Sequence, residues 1–289
     1  MKKIVFGLSN SGSLAKSIAK HSNLTYSQIK IKNFPDGELY LRFIKEVKGK
    51  EVFLVQSLYP NPNKSLLELL LAIKTAKDLG AKKVHVFVPY LAFMRQDKRF
   101  NPGEAVSSRI MAKLLDCADS LTTIDPHLHR IKKLNQIFKT KTKVIHATSL
   151  LARFIKKSFP NHTLIGPDIE SHQWVSAISK EIGFPFFVLR KERFSSRKVK
   201  ISMPKFNFKD KKVVIIDDVV STGYTIAETA KLLKKKGASS ISLVCVHGIF
   251  VENALSKLKK AGVDKIFCTN TIQSKKSSID ASSLFKELI

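Results

Sequence analysis

Residues 213–225, VVIIDDVVSTGYT, constrain this chain more than any other stretch. Val213, Val214, Ile215 and Ile216 are consecutive β-branched apolar residues, which predicts a strand buried on both faces. Asp217 and Asp218 follow where that strand is expected to end, and Ser221-Thr222-Gly223-Tyr224-Thr225 forms a small polar loop. Thr225 and Glu228 have the spacing of a T-x-x-E capping box, and Gly237 stands where the ensuing helix would stop. A loop rich in N–H and hydroxyl groups then sits at a helix N-terminus beside two carboxylates. Backbone N–H groups and the helix dipole suit a phosphate there. The carboxylates suit sugar hydroxyls, or a metal ion carried by the ligand, rather than the phosphate itself. A solvated strand-to-loop turn would not need the acid pair, the Thr-Gly and the capped helix in this order.

The same plan occurs earlier. A strand at 52–56, a loop, a helix at 65–79 and a strand at 84–88 parallel the strand at 213–216, the loop, a helix to Lys236 and a strand at 241–246. Gly80-Ala81 even matches Gly237-Ala238 after each helix. Strand–helix–strand units of this kind build doubly wound parallel sheets. The repetition predicts two related halves, the first without the Asp-Asp and Thr-Gly of the second. The 289 residues suffice for two domains, and the boundary is expected around 140–148.

Composition narrows the setting. No apolar run approaches the length of a membrane span, and the N-terminus turns polar without a small-residue cleavage pattern, so it reads as strand, loop and helix. Cys117, Cys245 and Cys268 are far apart in sequence and show no metal spacing, which favours a reduced cytoplasmic setting. The net charge of +28 raises nucleic acid as a partner. Yet the lysines are spread along the chain, aromatic residues do not interleave with them, and no zinc-finger or RNP pattern appears. A lysine-rich solvated surface with basic pockets for phosphorylated substrates is the expected reading, with no specific nucleic acid and no membrane.

Other polar runs sit beside predicted strand ends. Phe34-Pro35-Asp36-Gly37-Glu38 is turn chemistry between strands at 28–33 and 39–44, a hairpin with an acidic tip. Arg95-Gln96-Asp97-Lys98-Arg99 places cations, an amide and a carboxylate just past a strand, suited to a polyphosphate and to a base or ribose. His127 follows the strand at 121–124, facing the crevice where α/β proteins bind ligands. Asp168 follows the strand at 163–166. Residues 190–198, RKERFSSRK, carry many cations and little apolar patterning, which predicts a mobile loop closing over an anionic substrate. The tail reads as a strand, a polar linker at 275–278 and a short helix at 282–288.

Together these runs resemble the ribose-phosphate pyrophosphokinase (phosphoribosyl pyrophosphate synthetase) family. The acid pair and Thr-Gly loop alone are shared with phosphoribosyltransferases. The match narrows through Phe34-Pro35-Asp36-Gly37-Glu38, Arg95-Gln96-Asp97, Asp125-Pro126-His127, Pro167-Asp168 and Lys191-x-Arg193, in that order, over essentially the whole chain. The resemblance implies a tandem of two similar phosphoribosyltransferase-like α/β domains, each a mostly parallel sheet flanked by helices. They are expected at 1–144 and 145–278, with a C-terminal helix at 279–289 packing back on the first. It implies ATP and ribose 5-phosphate as substrates, Mg²⁺ as cofactor, and homo-oligomers, dimer-built and often hexameric, in which the 34–38 hairpin reaches a neighbour's ATP. The diphosphoryl group of ATP would pass to the 1-hydroxyl of ribose 5-phosphate, with AMP leaving.

By the same resemblance, Lys191 and Arg193 are catalytic. Phe34, Asp36, Gly37, Glu38, Arg95, Gln96 and Asp97 bind ATP. Asp217 and Asp218 orient ribose hydroxyls, and Ser221, Thr222, Gly223, Tyr224 and Thr225 wrap the 5-phosphate. His127 and Asp168 are metal ligands. The chain departs from the family pattern at Tyr224, where a second glycine is usual, at Ser221, where many members carry an acid, and at Glu170-Ser171, where many bacterial members have two glycines. A nucleobase phosphoribosyltransferase is the alternative enzyme, but it leaves the first 145 or so residues without a task. A catalytically dead regulatory homologue is a second alternative, which the presence of His127, Asp168, Lys191 and Arg193 disfavours.

Overall fold

Most β-branched and aromatic runs of the sequence become strands in the computed structural model, which describes residues 2–128, 130–193, 199–202 and 206–288, with 190–193, 199–202, 287 and 288 by backbone alone. The chain divides into two units. Unit 1 comprises Met1–His146, Thr271–Gln273 and Asp280–Ile289, and unit 2 comprises Ala147–Asn270 and Ser274–Ile279.

In unit 1 the order is β1 (Lys3–Gly7), α1 (Gly12–His21), β2 (Thr25–Asn33), β3 (Leu39–Phe43), β4 (Glu51–Val55), α2 (Pro62–Asp78), β5 (Lys83–Val88), α3 (Ser107–Leu115), β6 (Ser120–Ile124) and β7 (Lys141–Ile145). The sheet runs β3-β2-β1-β4-β5-β6-β7. All neighbours are parallel except β2 and β3, the expected hairpin. Alternation along the strands divides the side chains between two faces. Phe6, Val52, Leu54 and Val86 join Leu69, Ala72 and Ile73 of α2 and Met111 and Leu115 of α3 in one core. On the other face Phe53 and Phe87 meet Phe285 edge-on, at 5.8 and 4.8 Å between ring centroids. Phe285 belongs to a 3-10 helix at Ala281–Leu288 that lies on α1, where Ser282 bonds Ser17 at 3.0 Å and His21 at 2.8 Å. Gly7 ends β1 so close to α1 that a Cβ there would fall 2.7 Å from Gly12 Cα.

Unit 2 contains α4 (Thr148–Ser158), β8 (Thr163–Gly166), α5 (His172–Ile182), β9 (Phe186–Val188), β10 (Arg190–Arg193), β11 (Val199–Ser202), β12 (Lys212–Val220), α6 (Tyr224–Lys235), β13 (Ser240–Gly248), α7 (Ala254–Lys260), β14 (Lys265–Thr269) and β15 (Ser277–Ile279). Its main sheet is β15-β14-β13-β12-β8-β9, parallel throughout. Ile165, Val213, Ile215, Ile241 and Leu243 pack on Ile226, Ala230 and Leu233 of α6 and Leu258 of α7. Read from the first strand of each unit, the two sheets share one order. Counting only the parallel strands, the first (β1 or β8) lies between the second (β2 or β9) and the third (β4 or β12), and the rest follow in sequence. The chain therefore reverses direction across the sheet between β1 and β4 in unit 1 and between β8 and β12 in unit 2. Such switch points are where doubly wound sheets bind ligands, at the carboxyl ends of the strands.

Three local expectations are corrected. β12 does not stop before the acids but runs through them to Val220, because Val219 and Val220 resume the buried pattern and pair with His247 and Gly248 of β13. Thr225 does not cap α6. The helix starts at Tyr224 with Gly223 at the cap position and no side-chain cap bond, and Glu228 pairs instead with Lys231 at 2.8 Å. The basic run after β9 is not simply a loop: Arg190–Arg193 forms an antiparallel ribbon with Val199–Ser202. Residues 194–198 of that run lie outside the described residues. No helix among the described residues is long and apolar enough to cross a membrane.

Phe285→Ala should destabilise the protein by about 3–5 kcal/mol, since it empties an aromatic site against β4 and β5. A fall in the denaturation midpoint on urea unfolding would register this; an unchanged midpoint would mean the 3-10 helix adds nothing to unit 1.

Candidate functional site

In unit 2, β12 pairs with β8 over Val213–Ile215 and with β13 as far as Val220, so its carboxyl end, with the acids, runs past the end of β8 along β13. Asp218 is buried, and the Val219 N–H donates to its Oδ1 at 2.7 Å. The Asp218 N–H donates to Oδ1 of half-buried Asp217 at 3.0 Å. Asp168 caps the turn after β8, its Oδ1 accepting from the N–H groups of Glu170 and Ser171 at 3.1 and 3.2 Å. Desolvation, then the charges of Asp218 and Asp168, push the Asp217 carboxyl pKa well above its ordinary value. The adjacent acid pair and Asp168, read from separate stretches of the sequence, are thus brought into one electrostatic cluster.

Beyond the acids, Gly223 takes the left-handed conformation (φ 71°) that opens α6. A Cβ there would also meet Leu258 Cγ at 3.3 Å and Ala254 Cβ at 3.4 Å of α7, so both backbone and space require glycine. Tyr224, by contrast, is the first helical residue, and its side chain is exposed. The loop needs no second glycine because the left-handed angle falls on Gly223 alone. Ser221 and Thr222 are half-buried, and the Ser221 carbonyl accepts from Val251 N–H at 3.1 Å. The first turn of α6 contains no acid, leaving the positive end of the helix dipole uncompensated by local side chains.

Cys245 and Cys268, distant in sequence, are Cα partners on β13 and β14, and Cys245 pairs in turn with Asp217. Burial first, then the neighbouring Cys268, pushes the Cys245 thiol up. The Cys268 thiol is brought down to about 7, chiefly by its bond with Cys245, against burial and with help from Ser274 and Ser277. Strand register created this contact, and nothing in the sequence announces it.

In unit 1 the expected residues lie on separate elements. The hairpin tip is a tight turn: Phe34 N–H donates to the Glu38 carbonyl at 2.8 Å, Gly37 N–H to the Phe34 carbonyl at 2.9 Å, and Glu38 N–H to Asp36 Oδ1 at 3.1 Å. Phe34 is 49% exposed and touches Tyr40 edge-on. After β5, Arg95 is exposed and half-buried Gln96 donates to Glu104 at 3.0 Å. Asp97 is buried and engaged by Arg130, whose guanidinium lies 2.9 Å from Oδ1 and whose N–H donates to Oδ2 at 3.2 Å. Burial works to raise the Asp97 pKa, but those bonds and the Arg130 charge hold it below the usual carboxylate value. Asp97 therefore ties the segment after β5 to the one after β6.

His127 is half-buried in that second segment. Two residues before it, Asp125 has a φ of 35°, receives His146 Nδ1 at 2.7 Å, and donates its N–H to the Ile145 carbonyl at 3.0 Å. This support for the His127 turn was not visible in the sequence. The side chains of Lys191 and Arg193, the expected catalytic pair, lie outside what is described.

Among the described residues no group of three or more His, Cys, Asp or Glu side chains could hold a metal ion by itself. The donor chemistry nonetheless fits Mg²⁺, which is usually held by one or two carboxylates, waters and substrate phosphates rather than by a protein cage. The repulsion that raises Asp217 is what a nearby dication would relieve.

A parallel sheet ending in an acid pair, followed by a Thr-Gly turn into a helix, defines a phosphoribosyltransferase-type domain. Residues 133–286 match the phosphoribosyl transferase domain, and residues 3–118 match the N-terminal domain of ribose phosphate pyrophosphokinase. The chain is 35% identical over 286 residues to the ribose-phosphate pyrophosphokinase of Methanothermobacter thermautotrophicus, covering 99% of each. It is 36% identical over 273 residues to that of Saccharolobus solfataricus, covering 93% of each. The crystal structure of phosphoribosylpyrophosphate synthetase from Mycobacterium smegmatis superposes with a TM-score of 0.86 at 24% identity, over 100% of this chain and 97% of that one. The chain belongs to the ribose-phosphate pyrophosphokinase family.

Because the folded Asp217 pKa is raised, the folded chain binds more protons than the unfolded one between the two values. This group's contribution to stability therefore falls as pH rises from about 4 towards the folded pKa. Asp217→Asn should accordingly melt higher than the parent at pH 7, at about 2–4 °C per kcal/mol recovered. The gain should shrink towards pH 4 in thermal unfolding without metal or ligand; a gain independent of pH would contradict the raised pKa.

Proposed function

We propose that the chain is a ribose-phosphate diphosphokinase. It transfers the β,γ-diphosphoryl group of ATP to the 1-hydroxyl of ribose 5-phosphate, releasing AMP and leaving phosphoribosyl diphosphate for nucleotide synthesis. The observation that carries this reading is the near full-length likeness to proteins of that name, with the acid pair and Thr-Gly turn at the switch point of unit 2.

The acceptor's 5-phosphate takes N–H groups and hydroxyls from Ser221, Thr222, Gly223, Tyr224 and Thr225, at the positive end of the α6 dipole. Asp217 and Asp218 accept from the ribose hydroxyls, which fixes the sugar and aims its 1-hydroxyl. Arg95 and Gln96 hold the phosphates and nucleoside of ATP, and Phe34, Asp36, Gly37 and Glu38 contact its adenine and ribose. Asp97 acts through Arg130, holding the segment that carries Arg95 and Gln96. An in-line displacement needs alignment of the entering and leaving oxygens and neutralisation of charge, with little covalent help. Lys191 and Arg193 supply that neutralisation to the transferred group and the leaving α-phosphate oxygen. His127 and Asp168 are the side chains that would hold Mg²⁺, which when bound screens the phosphate oxygens. The protein works in the cytoplasm as a homo-oligomer built from dimers. The exposed Phe34 at the hairpin tip is available to reach a neighbour's ATP.

With Mg²⁺, ATP and ribose 5-phosphate, AMP and phosphoribosyl diphosphate should accumulate in equal amounts. ADP as the product would mean an ordinary kinase, and turnover only with a nucleobase and phosphoribosyl diphosphate would mean a phosphoribosyltransferase. Lys191→Ala should lower kcat by about 10²–10³-fold, with ribose 5-phosphate binding by calorimetry little changed; a kcat near that of the parent would remove Lys191 from the chemistry.

A further inference from the structure

The switch point of unit 1, between β1 and β4, corresponds in strand order to the Asp168–Asp217 end of unit 2. A cavity of about 330 Å³ opens there, lined by Gly7 at the end of β1, Leu8 and Ser9 of the following turn, Gly12 at the start of α1, residues of β2, and Lys64 and Glu68 of α2. Glu68 is 1% exposed. Its Oε2 accepts from Ser9 Oγ at 2.5 Å and from Gln56 Nε2 at 2.7 Å. Its Oε1 is buried without a hydrogen-bond partner. A carboxylate taken out of water with one oxygen unsatisfied is costly, and a ligand hydroxyl towards which the carboxylate turns would remove that cost.

The surroundings select the ligand. Gln56 is itself fixed, its Oε1 accepting from Asn10 N–H at 3.1 Å, so the amide that holds Glu68 cannot turn to satisfy the second oxygen. Tyr26 and Gln28 of β2 add a hydroxyl and an amide to the wall, and Lys32 and Lys64 stand exposed at the mouth. Lys64 is anchored to Asn33 at 3.3 Å. The start of α1 has no side-chain cap and no acid in its first turn, so the positive end of that helix adds to the two lysines. The site thus offers a buried acceptor with hydroxyl partners inside and cations outside. A polyol bearing one phosphate matches both ends. A bare anion would leave Glu68 unsatisfied, and a neutral polyol would leave the lysines unused.

We propose that unit 1 carries a second small-molecule site at its β1–β4 switch point, with Glu68 at its base, for a sugar monophosphate. This is independent of the donor and acceptor roles assigned above. D-Ribitol 5-phosphate is a suitable probe because it has no anomeric hydroxyl and cannot be turned over. In hydrogen–deuterium exchange on the full chain, this probe should slow exchange in segments 7–14, 25–33 and 62–69. Lys32→Ala/Lys64→Ala should abolish the slowing there, and Glu68→Gln should raise the required ligand concentration at least tenfold. Should Glu68→Gln fold poorly, Tyr26→Phe and the double lysine variant still carry the test. Any protection over 217–228 reports the unit 2 loop separately, so loss of either site is distinguishable from loss of the other. Absence of protection in the three unit 1 segments at millimolar probe, protection unchanged in the double variant, or equal protection by inorganic phosphate would each overturn the proposal.

Discussion

The acidic end of unit 2 depends on one strand, β12, which carries two adjacent acids past the end of β8 while still paired with β13. The two acids occupy strand positions rather than a loop. Their backbone is therefore fixed by the ladder, and their orientation does not have to be recovered when a ligand arrives. The same placement makes them costly. Burial and the charges of Asp218 and Asp168 act together on Asp217, so the unliganded site is held by the surrounding sheet against its own repulsion. Hydroxyl donors or a cation placed beside these acids would relieve that repulsion.

The two units show how one topology can be used in two ways. In unit 2 the switch point is acidic and opens into a glycine-led helix start. In unit 1 the corresponding place is underpinned by a hydrogen-bonded net of Ser9, Asn10, Gln56, Ser65 and Glu68, in which an amide replaces the strand-end acid and the carboxylate comes from the helix. The strand order is common to both, while the chemistry at the strand ends is not.

The sheets were readable because their central strands, such as β1, β4, β12 and β13, are buried on both faces and appear as apolar, largely β-branched runs. The hairpin was readable because Pro-Asp-Gly leaves few other backbone options. Errors arose where two signals competed. The acids looked like a strand terminus, yet Val219 and Val220 allowed the ladder to continue. Thr225 and Glu228 had capping spacing, but Gly223 could take the left-handed angle and start the helix earlier. The ribbon at 190–202 was hidden because its pattern is charged, and charge carries no period. Glu68 was missed among the leucines of α2, since a buried acid on an apolar helix face is recognisable only when its partners on other strands are known. Arg130 and His146 were missed for the same reason: the acids they hold, Asp97 and Asp125, lie 33 and 21 residues away in sequence. The meeting of Cys245 and Cys268 required the register, which no local pattern supplies.

The 3-10 helix bearing Ser282 and Phe285 belongs to unit 1 although unit 2 lies between it and the strands of unit 1 in sequence. On a ribosome, unit 1 must wait for this helix while the whole of unit 2 is synthesised. At about 5–20 residues per second the delay is on the order of ten to thirty seconds. Throughout it Phe53 and Phe87 lack their aromatic cover. The nascent chain therefore passes through a stage in which the strands of unit 1 are complete but its aromatic cluster is not, and synthesis of residues 281–288 ends that stage.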